Sequence, residues 1–174
     1  GSTIALMQSM LEAAGYRVHV YTSPHLLNYN ERIVLAGQPI SDDYLHQIME
    51  KCRIGATNIP VTFFEGTTVG AFCAFAETPA DIVLLETGLG GRLDATNVID
   101  HPLLTVLAPI SIDHTEYLGP TVSTIAREKL GILKSGSPCV SSLQCEEANE
   151  LIQEYTESLG CDLYAFGYDW SIGK

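Results

Sequence analysis

Basic residues are scarce. Nine lysines and arginines stand against 21 aspartates and glutamates in 174 residues, a formal net charge of -12 at pH 7. That deficit excludes a surface built to hold nucleic acid or an anionic membrane, because polyanion binding needs clustered Lys and Arg to displace counterions. Any phosphate must therefore be held locally, by backbone and a few side chains. No apolar run approaches the roughly 20 residues needed to span a bilayer. The first residues also lack the basic stretch and apolar core of a signal peptide, so the cytoplasm is the expected compartment. The five cysteines, Cys52, Cys73, Cys139, Cys145 and Cys161, are odd in number and contain no C-x-x-C pair. Neither a disulfide framework nor a zinc cluster is suggested, and reduced core or surface thiols are expected.

What is present is apolar bulk: 46% of residues are hydrophobic, enough for a sizeable core in one domain or in part of a larger protein. Helical and strand patterns alternate, which predicts an α/β fold of the Rossmann-like or P-loop type, a doubly wound, mostly parallel sheet with helices on both faces. The chain enters a helix at once, over residues 4–14, with Ile4, Met7, Leu11 and Ala14 on one face and Gly15 as its stop. A strand over 18–21 is broken by Ser23-Pro24-His25. An excursion follows: a short strand over 32–35, a turn at Gly37-Gln38-Pro39, and a helix capped by Ser41 with Asp42 and Asp43 in its first turn.

Thr62-x-x-Glu65 is a capping box opening an apolar helix that runs to about Glu77. Residues 82–85 form a continuous apolar run, as expected of a buried parallel strand, and 103–107 repeat that form. Helices over 121–133 and 146–159, a strand near Val140 and one over 163–166 continue the alternation. In such sheets ligands bind beyond the carboxyl ends of the strands. The loops at 23–25, 86–97 and 111–114 are therefore expected to face one crevice.

A glycine followed by hydroxyl residues at a helix N-terminus can seat a phosphate, since outward N–H groups and the helix dipole both favour negative charge there. Gly1-Ser2-Thr3 fits that description, although Gly-Ser is also the scar of a cleaved tag. Glu86 emerges at a strand end beside Gly88-Leu89-Gly90-Gly91, whose glycines let a ligand approach the backbone. That placement favours a metal or phosphate site, and an exposed strand-end glutamate is the plainer alternative. Asp113-His114 alone is ordinary loop composition, and its capping box gives Glu65 a sufficient structural role.

Taken in order, several strings resemble one family. They are Gly1-Ser2-Thr3; Thr22-Ser23-Pro24-His25-Leu26 with Asn30-Glu31-Arg32; Phe63-Phe64-Glu65-Gly66-Thr67; the run from Leu85 through Gly88-Leu89-Gly90-Gly91-Arg92-Leu93-Asp94-Ala95-Thr96-Asn97; Ile112-Asp113-His114-Thr115-Glu116-Tyr117-Leu118-Gly119; and Arg127-Glu128-Lys129-Leu130-Gly131-Ile132. This order resembles the folylpolyglutamate synthase / dihydrofolate synthase family of the Mur ligase superfamily. The resemblance covers residues 1–134 and, more loosely, Gly167-Tyr168-Asp169-Trp170.

The resemblance implies that residues 1–174 form a Mur-ligase-type ATP-binding domain. Gly1, Ser2 and Thr3 would be the end of a T-N-G-K-G-S-T loop on the ATP phosphates. Ser23 and Glu86 would bind one magnesium ion and His114 a second, with Lys129 carbamylated so that a carboxylate replaces its ammonium. Lys129, His114 and Glu86 would be the catalytic set. Thr62, Phe63, Phe64 and Glu65, with Leu93, Asp94 and Ala95, would line a pterin site in which Asp94 bonds the ring. The reaction implied is phosphoryl transfer from ATP to the carboxylate of dihydropteroate or of a folate glutamyl tail, then attack of L-glutamate on the acyl phosphate.

The same resemblance carries departures. The first strand and the lysine-bearing half of the phosphate loop do not stand in this sequence, nor does a C-terminal glutamate-ligase domain, so the chain alone is expected to be inactive or nearly so. Leu130 stands where an alanine is common, and Pro109 precedes the Asp-His loop. A monomer acting on small molecules, without nucleic acid or membrane, is expected. Alternatives are another Mur-type amide ligase, expected to lack the Ser-Pro-His-Leu and Leu-Asp-Ala-Thr-Asn strings, and a noncatalytic pterin- or folate-binding remnant.

Overall fold

The computed structural model describes residues 1–173, and they divide into two compact units, Gly1–Gly88 and a second that begins at Leu89. In the first, α1 (Ser2–Ala13) leads to β1 (Val18–Tyr21). Gly15, at φ +93, turns the chain between them in a conformation that glycine adopts without strain. A 3-10 turn, Tyr29–Arg32, precedes β2 (Ile33–Leu35) and β3 (Gln38–Pro39), then α2 (Asp42–Gly55), α3 (Phe63–Glu77) and β4 (Ile82–Leu85). The sheet order is β3-β2-β1-β4, with β1 parallel to β4 and antiparallel to β2.

Strand alternation sorts β1 between two cores. Val18 and Val20, with Leu84, face Ile4, Met7 and Leu11 of α1. Tyr21 faces the other way, onto Ile48 of α2 and Ala71, Ala74 and Phe75 of α3, so helices cover both faces of this sheet. His19 shares the Tyr21 side, stacks on Phe75 at 4.8 Å, and is fully buried. Its Nδ1 accepts the Ala36 N–H at 3.0 Å and its Nε2 lies 2.8 Å from the Thr78 carbonyl, so both ring nitrogens are used inside the fold.

The second unit carries β5 (Thr105–Leu107), α4 (Thr115–Leu118), α5 (Val122–Leu130), β6 (Cys139–Ser141), α6 (Glu146–Leu159) and β7 (Leu163–Ala165). Its strands are all parallel in the order β5-β6-β7. α5 and α6 share one core with Leu107 and Cys139. No described helix is long and apolar enough to cross a membrane.

Several expectations are corrected in detail. Hydrogen bonding gives two sheets, one in each unit, where the alternation predicted one. The apolar run of β4 is parallel as expected but is not buried on both sides: Leu84 joins Val18 and Val20, whereas Val83, in register with His19, is 45% exposed. The turn sits at Ala36-Gly37, and Gln38–Pro39 pairs with β2 at a sheet edge, where proline's missing N–H costs no ladder bond. β5 begins at Thr105, α5 ends at Leu130, and the four-residue α4 carried too few positions to show a period.

Candidate functional site

Strand register builds the centre of the first unit. Tyr21 pairs with Leu85, so the next residues on the two parallel strands, Thr22 and Glu86, leave the sheet side by side. The Glu86 N–H donates to the Tyr21 carbonyl at 2.8 Å, holding the two strand ends together. The Thr22 hydroxyl donates to Oε2 of Glu86, the Ser23 N–H approaches the same oxygen at 3.3 Å, and the Gly1 amino group contacts Oε1. Gly1 is the N-cap of α1, so the helix start and the strand-end carboxylate meet at one point. Glu86 is partly buried, its side chain 20% exposed. Burial pushes its carboxyl upward, and the hydrogen bonds from the Thr22 hydroxyl and the Ser23 N–H act the other way. The carboxylate is thus held at the strand ends by the residues that follow β1.

Thr62, Phe63, Phe64 and Glu65 form the N-cap and first turn of α3. The Thr62 hydroxyl accepts the Glu65 N–H at 3.2 Å, and Glu65 returns its carboxylate to the Thr62 N–H at 2.7 Å, so the capping box forms as read. Those Thr62 hydrogen bonds, the backbone one largest, hold the Glu65 carboxyl below its ordinary value. The Phe64 ring lies against Gly88, where a Cβ would come within 2.4 Å of it, so this first turn packs on the end of the β4 segment. Phe63 is 70% exposed and leans edge-on against Tyr29. Arg32 stacks over Tyr29 and donates from Nε to His25 Nδ1 at 2.9 Å, while Glu31 accepts the N–H groups of Leu26, Leu27 and Asn28. The segment after Ser23 is therefore organised by its own side chains.

In the second unit, Leu93, Asp94 and Ala95 lie on the loop after the glycine run. Both Asp94 carboxylate oxygens are engaged within that loop: Oδ2 accepts the Leu89 N–H at 2.9 Å, and Oδ1 accepts the Thr96 N–H at 3.0 Å and hydroxyl at 2.6 Å. Asp94 is thus a loop organiser, and Leu93 beside it is 79% exposed. The loop rests on two helices, since a Cβ at Gly90 would touch Leu118 of α4, and one at Gly91 would meet the Lys129 carbonyl of α5. His114 caps α4 in the left-handed region at φ 50, ψ 39, a costly conformation for a non-glycine residue. Lys129 lies in the last turn of α5.

Gly1, Ser2, Thr3, Ser23 and Glu86 are thus gathered in the first unit, which also carries Thr62 to Glu65 at the start of α3. His114, Lys129 and Leu93 to Ala95 lie on neighbouring elements of the second. Sequence reasoning gave no role to Thr22, Tyr29 or Asn97. Thr22 stood within a quoted string, but only the register reveals that it faces Glu86. Among the described residues no three His, Cys, Asp or Glu side chains are grouped to hold a metal by themselves.

No protein-family model matches the chain. It is 37% identical over 171 residues to the dihydrofolate synthase/folylpolyglutamate synthase of Escherichia coli K12, covering 98% of the chain and 40% of that relative. It is 43% identical over 164 residues to the Bacillus subtilis 168 enzyme of the same name, covering 90% and 38%. Among solved structures it superposes on E. coli FolC in complex with ADP at a TM-score of 0.91 and 37% identity, over 98% of the chain and 41% of that structure. The chain belongs to the folylpolyglutamate/dihydrofolate synthase family. An FPGS–AMPPCP–folate complex superposes at a TM-score of 0.87 and 34% identity, over 94% and 42%. The bifunctional Yersinia pestis enzyme with AMPPNP and a Mn ion does so at 0.86 and 37%, over 95% and 40%. The chain therefore spans about two fifths of the length of these relatives.

Proposed function

We propose that this chain is the Mur-ligase-type ATP-binding domain of an ATP-dependent ligase that joins L-glutamate to dihydropteroate, to folates, or to both. One observation carries the reading: the N-terminus of α1 abuts Glu86 at the ends of β1 and β4. A helix start attracts phosphate and an ionised strand-end carboxylate attracts its counter-cation, so their adjacency suits a nucleotide–metal complex. Relatives solved with ADP, with AMPPCP and folate, and with AMPPNP and Mn support the same assignment.

The donors around Glu86 fit magnesium. They are the Glu86 carboxylate, the Thr22 hydroxyl that donates to it, and Ser23, whose N–H approaches it and whose side chain carries a further hard oxygen; magnesium typically takes one or two protein carboxylates and keeps water and phosphate for the rest. We assign Ser23 and Glu86 to one ion, and His114 with a carbamylated Lys129 to a second. Lys129 unmodified sits well at a helix C-terminus, where the dipole favours a cation; only the carbamate makes it a metal ligand. When bound, the ions neutralise charge on the transferring phosphoryl group.

The residues then divide the work. The start of α1 at Gly1, Ser2 and Thr3 faces the phosphate oxygens, and the Thr22 hydroxyl and the Ser23 N–H hold Glu86 in place. Phe63 in the first unit and Leu93 in the second each expose an apolar side chain of the kind a flat ring packs on; Thr62 and Glu65 fix the segment of the one, and Asp94 that of the other. The substrate carboxylate takes the γ-phosphoryl group, ADP departs, and the glutamate amine displaces phosphate as the amide forms. Free thiols at all five cysteines suit a reducing cytoplasm. Titration with Mn2+ in the presence of AMPPCP checks the metal assignment: tight binding that is lost in Glu86→Gln is expected, and unchanged binding in that variant refutes it.

A further inference from the structure

Two glycines in the second unit let the Asp94 loop touch α5 backbone to backbone. A Cβ on Gly131 would lie 2.4 Å from Cα of Arg92 and 2.3 Å from its Cβ, and one on Gly91 would lie 2.8 Å from the Lys129 carbonyl oxygen. Gly131 has φ -62, a conformation any residue adopts, so glycine stands there for space. Polar contacts fasten the same seam. The Arg92 N–H donates to the Glu128 carbonyl at 2.8 Å, and the Arg92 guanidinium reaches Glu128 Oε1 at 2.9 and 3.2 Å. The Asn97 amide donates from Nδ2 to the Gly131 carbonyl at 3.0 Å and to the Arg92 carbonyl at 3.2 Å. The carbonyls at a helix end have no intrahelical partner. The loop supplies donors to two of them and so caps the helix that carries Lys129.

We infer that Arg92, Asn97 and Gly131 are positioning residues: they set the place of the loop bearing Leu93, Asp94 and Ala95 against the helix bearing Lys129. The inference rests on the proposed function, in which that loop meets the pterin ring. Asp94 ties the loop internally through Leu89 and Thr96, so the loop docks as a preformed piece. Its place then depends on the seam, and displacement of about 1 Å in such a support costs up to roughly a hundredfold in rate.

The test uses the protein that carries this chain with two variants. Asn97→Asp is isosteric but turns an acceptor toward two carbonyl oxygens. Gly131→Ala drives a methyl into Arg92 while suiting the helical backbone better than glycine. Affinity for dihydropteroate and for a folate is measured by calorimetry, kcat and KM separately for dihydropteroate and ATP, and melting temperature by circular dichroism. Expected is a fall of roughly tenfold or more in kcat/KM for dihydropteroate, with a weaker Kd, KM for ATP near wild type, and in Gly131→Ala a melting temperature lowered by the overpacking against Arg92. If wild type binds dihydropteroate and both variants bind it equally, the inference falls and the proposed function stands. If wild type binds neither dihydropteroate nor a folate, the proposed function falls and takes the inference with it. Loss of ATP affinity equal to the loss of dihydropteroate affinity in both variants overturns positioning in favour of a general structural role.

Discussion

The Ser23 N–H lies 3.3 Å from Oε2 of Glu86, joining residues 63 positions apart at the mouth of the sheet. That proximity follows from the parallel register of β1 and β4, which also sets Thr22 against the same carboxylate. Removing an outer partner of a metal ligand costs roughly 10- to 100-fold in affinity. Thr22→Val is therefore expected to weaken Mn2+ binding by that range, and Glu86→Gln by more. Equal Mn2+ affinity in wild type and Thr22→Val, by electron paramagnetic resonance, would deny Thr22 its part.

Gly88 and Phe64 make a second linked pair. A methyl at Gly88 would come within 2.4–2.9 Å of the Phe64 ring, which must then leave its place against Tyr21. Gly88→Ala is expected to cost about 1–3 kcal/mol of stability, the usual range for overpacking, and Gly88→Ala/Phe64→Leu less than the sum of its parts. Denaturant melts of the four proteins give the coupling; strict additivity would mean that the ring does not press on Gly88.

Glu31 sets a pH limit on the segment after Ser23. Backbone N–H groups of Asn28, Leu26 and Leu27 hold its carboxyl below the ordinary glutamate value near 4.3. Its contribution is present in full above that unfolded value and is lost as pH falls through the lower folded one. Protection of amides 26–28, relative to the intrinsic exchange rate at each pH, should be constant from pH 5 upward, fall specifically under acid, and be low at every pH in Glu31→Ala. Protection in that variant equal to wild type would show that another group orders the loop.

The thiols should separate by burial. Cys139 is fully buried in the second core, and burial pushes its thiol up to about 11, whereas Cys145 is exposed. A disulfide reagent at pH 8 is expected to modify Cys145 promptly and Cys139 only on unfolding. Rapid labelling of Cys139 in the native state would contradict the packing of β6.

Much of this was legible in the residues. The helices over 42–55, 63–77 and 146–159 announced themselves through caps, apolar spacing and acidic first turns, all local signals. β1 and Glu86 at the end of β4 were legible for the same reason. What the chain could not reveal locally is whatever depends on a distant partner. The exposure of Val83 depends on which helix covers each side of the sheet. The contacts of Thr22 with Glu86 and of Asn97 with Gly131 depend on register and close packing. Asp94 is a further case: the resemblance implies a ring contact for it, and the fold adds hydrogen bonds to Leu89 and Thr96 that shape its own loop, which no local signal announced.

The account is tested most directly by supplying the protein that carries this chain with ATP, magnesium, L-glutamate and either dihydropteroate or a folate, and weighing the product by mass spectrometry. The expected result is a product heavier by one glutamyl residue, formed with stoichiometric release of ADP and phosphate and lost in Glu86→Gln. Glutamate addition that proceeds without ATP, or that survives in Glu86→Gln at the wild-type rate, would contradict it.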